Sequence, residues 1–300
     1  MSAVLDRINK LAAQAVADGK DMTKSVAGGG GDYEPPAAGM CWLRFVAYIE
    51  LGKQKETFQG KERVREKCLM TFELSGPNHQ PKVLDDGTKL PHRITIEETL
   101  SQNEKANFFK LFTVMNYAGK AQHVASLLGE AYMGEVVHRT YKGRDGKDRV
   151  AVDLKVKGAG YTIKPPRYAD PMTGEIKVIP VPAPITPIKA FMWNYADMDQ
   201  WKDVYIDGEY PEVKNEKGEV TKPAKSKNVY QARIMQAVNF IGSPMHELLV
   251  AGGAKLDIPD AEDPSHAPAD EGEDPTLQVP GQQAATPSGT AATDALNGIV

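Results

Sequence analysis

Cysteine is nearly absent: Cys41 and Cys68 are the only two, in neither a C-x-x-C nor a paired framework. A disulfide scaffold and a zinc knuckle are therefore excluded, and a reducing cytoplasm is the default location, the host cytoplasm if the chain is viral. Long apolar runs are missing too. Nothing approaches the roughly 18 residues a bilayer span requires, and "MSAVLDRINKLAAQAVADGK" lacks the basic start and apolar run of a signal peptide. The six histidines stand far apart, so no local metal site is marked, and no cofactor is expected. "GGGGDYE" at 28–34 lacks the G-K-[ST] ending of a phosphate loop, and the G-x-S-x-G elbow is missing. The acidic pairs at 85–86 and 97–98 could hold magnesium in a nuclease, but neighbours on a strand point to opposite faces. The expectation is a protein without catalysis.

What the chain does have is strand periodicity over a large core, with 41% hydrophobic and 25% charged residues. In "WLRFVAYIEL", 42–51, the two-residue period puts Leu43, Phe45, Ala47, Ile49 and Leu51 on one face and Trp42, Arg44, Val46 and Tyr48 on the other. A glycine-bounded loop, Gly52 to Gly60, follows with Lys53 and Lys55. In "KERVREKCLMTFEL", Val64, Cys68, Met70, Phe72 and Leu74 form an apolar face, and the odd positions hold Lys61, Arg63, Arg65 and Lys67. "HRITIEE" reads as a third strand. Ser101 with Glu104 three residues on resembles a capping box opening a helix to about Tyr117, packed by Phe108, Phe109, Phe112 and Met115. A short helix holds Val124, Leu127 and Leu128, and "EVVHRTY" and "RVAVDLKV" flank the turn "KGRDGKD" as a hairpin. Few long helices alternate with strands, so the expected class is α+β. It would have an antiparallel β-rich core, a small barrel or sandwich of OB-like type, with inserted helices.

Four regions follow. Residues 1–32 form an arm and glycine linker, 33–167 the basic core, 168–250 a proline-rich strap with a small aromatic and helical subdomain, and 251–300 an acidic tail too poor in apolar residues to fold. Within the subdomain, "NVYQARIMQAVNFI" reads as a helix ending near Gly242. No repeat of 20–50 residues is visible.

The net charge of -4 hides an asymmetry. Residues 41–167 hold 22 Lys and Arg against 15 Asp and Glu, while 257–274 hold eight acidic residues and no basic one. Such a split points to a nucleic-acid or membrane partner, with the tail as an interaction arm or as a solvating extension. If 42–51 and 61–74 pair, Trp42, Arg44 and Tyr48 share a surface with Lys61, Arg63, Arg65 and Lys67. Cations for phosphates beside aromatic faces for unstacked bases are what single-strand binding requires. The turn adds Arg139, Tyr141, Lys142, Arg144, Lys147 and Arg149 as a basic finger able to close over a strand. The competing structural reading buries Trp42 and Tyr48 between a sheet and a helix, and makes the turn ordinary solvated surface.

The runs "EPPAAGMCWLRFVAYIELGKQ", "KCLMTFELSGPNH", "ANFFKLFTVMNYAGKAQHVASLLGEAYMGEVVH" and "YTIKPPRYADPMTGEI" resemble a group of tailed-phage proteins, the single-stranded DNA-binding proteins of lytic podoviruses, among them the Drc type, an RNA polymerase cofactor. The resemblance runs from about Tyr33 to Val250. It implies single-stranded DNA as ligand, no catalysis, recruitment of phage RNA polymerase or replication proteins, and a fold that departs from the common five-stranded barrel. The acidic tail or the N-terminal arm would contact those partners, and homo-oligomers are compatible with the pattern. A virion or assembly protein, in which strap and tail mediate protein contacts, is the alternative.

Overall fold

A computed structural model describes residues 35–253, apart from 59, 144, 145, 147, 216 and 217, all within one compact unit. The expected N-terminal arm, the tail from 254 onward, Arg144 and Lys147 lie outside the described residues.

The centre is an antiparallel sheet in the order β3–β2–β1–β4–β5. Its strands are β1 (Gly39–Phe58), β2 (Lys61–Ser75), β3 (Arg93–Thr99), β4 (Ala131–Lys142) and β5 (Asp148–Asp153). The α+β class and the β-rich antiparallel core are as the periodicity implies. The pairing of β1 with β2 also holds, from Trp42 opposite Ser75 to Phe58 opposite Lys61. Residues 52–58 are not the expected loop: they continue β1, giving a strand of 20 residues.

The faces of β1 change sides partway along. Val46 and Leu51 are extra residues, since the register with β2 shifts between Phe45 and Ala47 and again between Glu50 and Gly52. Each bulge inserts one residue against an unbroken partner and so exchanges the two faces. Leu43 and Phe45 join the first core, as does Tyr48 beyond the first bulge, whereas Ile49 and Leu51 enter the second. β2 has no bulge. Cys68, Met70, Phe72 and Leu74 all face the first core and Leu69 the second, a pattern its strict alternation dictates.

The first core is closed by α1 (Asn107–Met115), which buries Phe108, Leu111 and Met115 at spacings of three and four. Phe109 stays on the outer side. The helix starts later than a capping box at Ser101 would place it. The Ser101 hydroxyl instead accepts from the Asn103 N–H at 3.3 Å and the Asn103 side chain from Lys105 N–H at 2.9 Å, local turns that compete with helix. A 3₁₀ turn, Val124–Leu127, completes this layer.

The second core lies on the opposite face. The strap carries β6 (Arg167–Ala169) and β7 (Ile176–Val178), a separate two-stranded sheet, and returns the chain to the central sheet as β8 (Lys189–Phe191), parallel to β1 at Ala47–Ile49. Within the proline-rich strap, β6 and β7 pair as a hairpin. Three short helices follow: α2 (Met198–Asp203), α3 (Val229–Met235) and α4 (Pro244–Ala251). The helix expected to end near Gly242 therefore stops at Met235, and Ser243 caps a new one by accepting from His246 N–H. Phe191, Trp201, Tyr230, Ile234 and Phe240 bury Ile49, Leu51 and Leu69, each fully buried side chain contributing about 1.5–3 kcal/mol.

Candidate nucleic-acid interface

Both faces of the sheet are covered at its middle, which leaves two ribbons as open cationic backbone. The first is the outer part of β1 and β2, residues 52–66. β4 occupies the second edge of β1 only along Gly39–Arg44 and β8 only at Ala47–Ile49; Lys53 N–H then donates to Asn239 Oδ1 at 2.7 Å, its carbonyl accepts from Val238 N–H at 2.9 Å and Gln54 Nε2 donates to the Arg233 carbonyl at 2.9 Å, after which the chain runs past the body. Lys53, Lys55, Lys61, Arg63 and Arg65 are exposed there.

Register assigns these cations to faces, because residues directly opposite in an antiparallel pair share a side. Lys61, Arg63, Arg65 and Lys67 stand opposite Phe58, Glu56, Gln54 and Gly52, so this face carries four cations against one carboxylate, Glu56. Lys53 and Lys55 oppose Glu66 and Val64 on the other face, with Glu62 beside them, and there the charges balance. The positive field is one-sided.

Its inner end is occupied. Lys67 is only 14% exposed and lies 2.6 Å from Glu56 and 3.9 Å from Glu97; Glu97 also meets the Arg233 guanidinium at 2.5 Å, and Arg65 lies 3.9 Å from Glu56. This network lines a concavity of about 190 Å³ where ribbon, β3 and α3 meet. Lys67 is therefore a tie between strands and not a solvated phosphate contact. Arg65, 49% exposed, still reaches solvent.

The second ribbon is the far part of β4 and β5. Tyr141 stands opposite Arg149 and Arg139 opposite Ala151, so Arg139, Tyr141 and Arg149 share one face, the arrangement of a ring flanked by guanidinium groups. Lys142 lies on the other, paired to Asp148 at 2.9 Å. By register the face of Arg139 is also that of Met133 and Trp42, and through β1 and β2 that of Arg63.

The two ribbons do not converge. β1 runs away from Gly39 toward its tip at Phe58, while β4, antiparallel to it with Val136 opposite Gly39, runs the other way to Lys142. A finger at 139–149 closing over a strand held on the β1–β2 ribbon is thus corrected: the two project from opposite ends of the sheet.

The aromatic part of the expected surface is corrected as well. Tyr48 has no exposed surface; the bulge at Val46 turns it into the first core, where its hydroxyl donates to Glu50 Oε1 at 2.8 Å and its ring meets His123 edge-on. It has no face to offer a base. Arg44 is spent on the strap. Its guanidinium donates to the carbonyls of Pro182 at 2.7 Å, Gly129 at 2.8 Å and Val181 at 2.5 Å, while its cross-strand partner Glu73 accepts from Ile185 and Thr186 N–H at 2.9 and 2.6 Å. Trp42 is half-buried, its ring against Gly76.

Two groups escaped the sequence reading. Lys164 is exposed and bridges to Met133, which places it on the Trp42 face. The hairpin β6–β7 adds Arg167, Tyr168 and Lys177. Asp170 organises its turn, accepting from Met172 N–H at 2.9 Å and Lys177 Nζ at 2.6 Å. The signal was there, since Asp170-Pro171 followed by Gly174 is turn chemistry.

Among the described residues no three His, Cys, Asp or Glu side chains group as a metal site would require, and no helix is long and apolar enough to cross a membrane. The two thiols are buried and unpaired; burial pushes Cys41 up to about 12 and raises Cys68 as well, which disfavours the thiolate at both. Comparison with protein-family models, with curated proteins and with solved structures gives no match.

Proposed function

We propose that the chain is a non-enzymatic single-stranded DNA-binding protein of largely sequence-independent action, serving phage DNA replication or transcription by a phage RNA polymerase. The observation that carries this is the pair of ribbons. Each leaves the packed body, and each gathers its excess cations on one face: Lys61, Arg63 and Arg65 on the first, Arg139 and Arg149 around Tyr141 on the second. A two-stranded ribbon alone is marginally stable in water, so its outer length, decorated with charge beyond the buried Gln54, is better explained by a polyanion than by folding. Tyr141 supplies a ring on which a base can stack, worth about 1–3 kcal/mol per base. The core behind it supports an OB-like reading. Glu98 of β3 accepts from Lys155 Nζ at 3.0 Å and from the Tyr161 hydroxyl, which draws the two margins of the sheet toward each other as in a small barrel. The described helices offer no basic face for a duplex groove; a β-ribbon can enter one, so duplex is the necessary control.

The test is fluorescence anisotropy of labelled single-stranded and duplex oligonucleotides at two salt concentrations. Tighter single-strand binding, weakening by about 0.7 log unit per log unit of salt for each neutralised phosphate, is expected. Salt-insensitive binding, or none, would remove the reading. One observation favours a role in assembly instead: the β6–β7 hairpin, stiffened by Asp170, exposes Met172, Ile176 and Val178 with no core to serve. Salt-independent self-association without DNA affinity would decide for that reading.

A further inference from the structure

The separation of the two ribbons has a consequence for how a strand is held. Arg63 stands opposite Glu56, far along β1, and Arg139 lies beyond the start of β1 at Gly39. Counting along the strands, the path between them is about 60 Å at about 3.3 Å per residue, with both bulges of β1 bending it. Between them both faces are covered from about Arg44 to Gly52, while Met40 and Glu135 lie exposed on the Trp42 face nearer the second ribbon. One face is covered by α1 and the first core; the other is covered by the strap, clamped by Arg44 and Glu73, and by Phe191 and Trp201 of the second. Lys164 extends the positive face of the second ribbon toward Trp42, and the covered stretch stops it short of the first.

Resting on the proposed function, we infer that one chain holds two separate single-strand sites, one on each ribbon, and bridges two segments of DNA instead of wrapping one. The ligand class is then two short stretches of unpaired strand, or one long strand looped between the ribbons. The sites are unequal: the β4–β5 site pairs phosphate contacts with a stacking ring at Tyr141, while among the described side chains of the β1–β2 site the contacts are to phosphate.

Titration of the full-length protein with oligonucleotides of two lengths tests this. An oligonucleotide of about 8 nucleotides spans about 27 Å when stacked at about 3.4 Å per nucleotide, about half the path between the ribbons. One of about 40 nucleotides reaches both ribbons. The short oligonucleotide should saturate at two per chain, and each of the variants Lys61→Ala/Arg63→Ala/Arg65→Ala and Arg139→Ala/Arg149→Ala should reduce that to one. With protein limiting, the long strand should bind about 100-fold more tightly than the short, the low end of the gain from linked sites, and either variant should abolish most of that gain. Saturation at one short oligonucleotide per chain, or both variants weakening a single site, would overturn the two-site inference and leave the binding function standing. Binding of neither length by the unaltered protein would overturn both.

Discussion

The inner and outer halves of the β1–β2 pair are built from the same residue types and do opposite things. In the inner half, Arg44 and Glu73 stand directly across from each other, yet neither spends its charge on its partner; each reaches past to the backbone of the strap, and together they hold five of its and its neighbours' polar groups. In the outer half, Arg63 and Arg65 sit in the same alternation and face solvent. The difference lies in what covers the face. A guanidinium against carbonyls with little water makes strong, directional hydrogen bonds, whereas an exposed guanidinium contributes little to stability. Charge on a strand therefore becomes clamp or contact according to the layer laid over it.

That contrast can be broken at its inner end with the largest effect. Arg44→Ala should cost about 3–5 kcal/mol, because it leaves strap carbonyls unsatisfied and unseats the segment that leads into β8; urea denaturation measures it, and a loss under 1 kcal/mol would make the strap contacts incidental. The boundary between the halves is Gly52, with φ +70° and Trp193 packed where a Cβ would stand, 2.3 Å from its ring. Gly52→Ala should cost about 2–3 kcal/mol in the same assay, since both the backbone and the indole must give way. Alkaline pH should weaken the first core beside the inner half, where Cys41 stands opposite Gly134 of β4. The unfolded chain gives up the Cys41 proton near 9.0 while burial holds it to about 12 in the folded protein, so this thiol's contribution is complete below pH 9 and is lost as pH rises toward 12. The urea midpoint should fall over that range, and less steeply in Cys41→Ala; identical slopes would discount the buried thiol.

Tyr48→Phe should cost about 1 kcal/mol through the lost hydrogen bond to Glu50 and leave DNA affinity unchanged, whereas a base-stacking Tyr48 in an opened core would show the reverse. The smallest effect on folding belongs to the outer half. Lys61→Ala/Arg63→Ala/Arg65→Ala should move stability by less than about 0.5 kcal/mol while flattening the salt dependence of DNA binding by about 0.7 for each lost contact. A large stability loss would show the ribbon to be part of the core after all.

Much of the fold was legible, and the failures share a cause. β2 alternates without interruption from Lys61 to Leu74, so its two faces follow from period alone. β1 does not, and nothing in the composition of Val46 or Leu51 marks them as inserted; only the unbroken partner strand reveals it. The buried side of α1 was readable from Phe108 and Met115, but its start was not, because Ser101 has a local turn to satisfy. In the candidate site, the exposure of Arg63 and Arg65 was foreseeable from position. The tying of Lys67 was not, since Glu56 and Glu97 reach it from two other strands. Tyr48 and Arg44 were misassigned for the same nonlocal reason: a bulge turned one inward, and a strap some 140 residues away covered the other.

The two bulges of β1 behave as a pair of compensating frameshifts. With faces read as a two-letter frame, the insertion at Val46 shifts every following residue out of phase, and the insertion at Leu51 shifts it back. Only Ala47 through Glu50 are decoded in the altered frame, the stretch that must place Tyr48 in one core and Ile49 in the other. Deleting Val46, Leu51 or both would therefore close a bulge and leave Arg63 against Glu56 and Arg65 against Gln54, with the damage confined to the buried contacts that each inserted side chain makes.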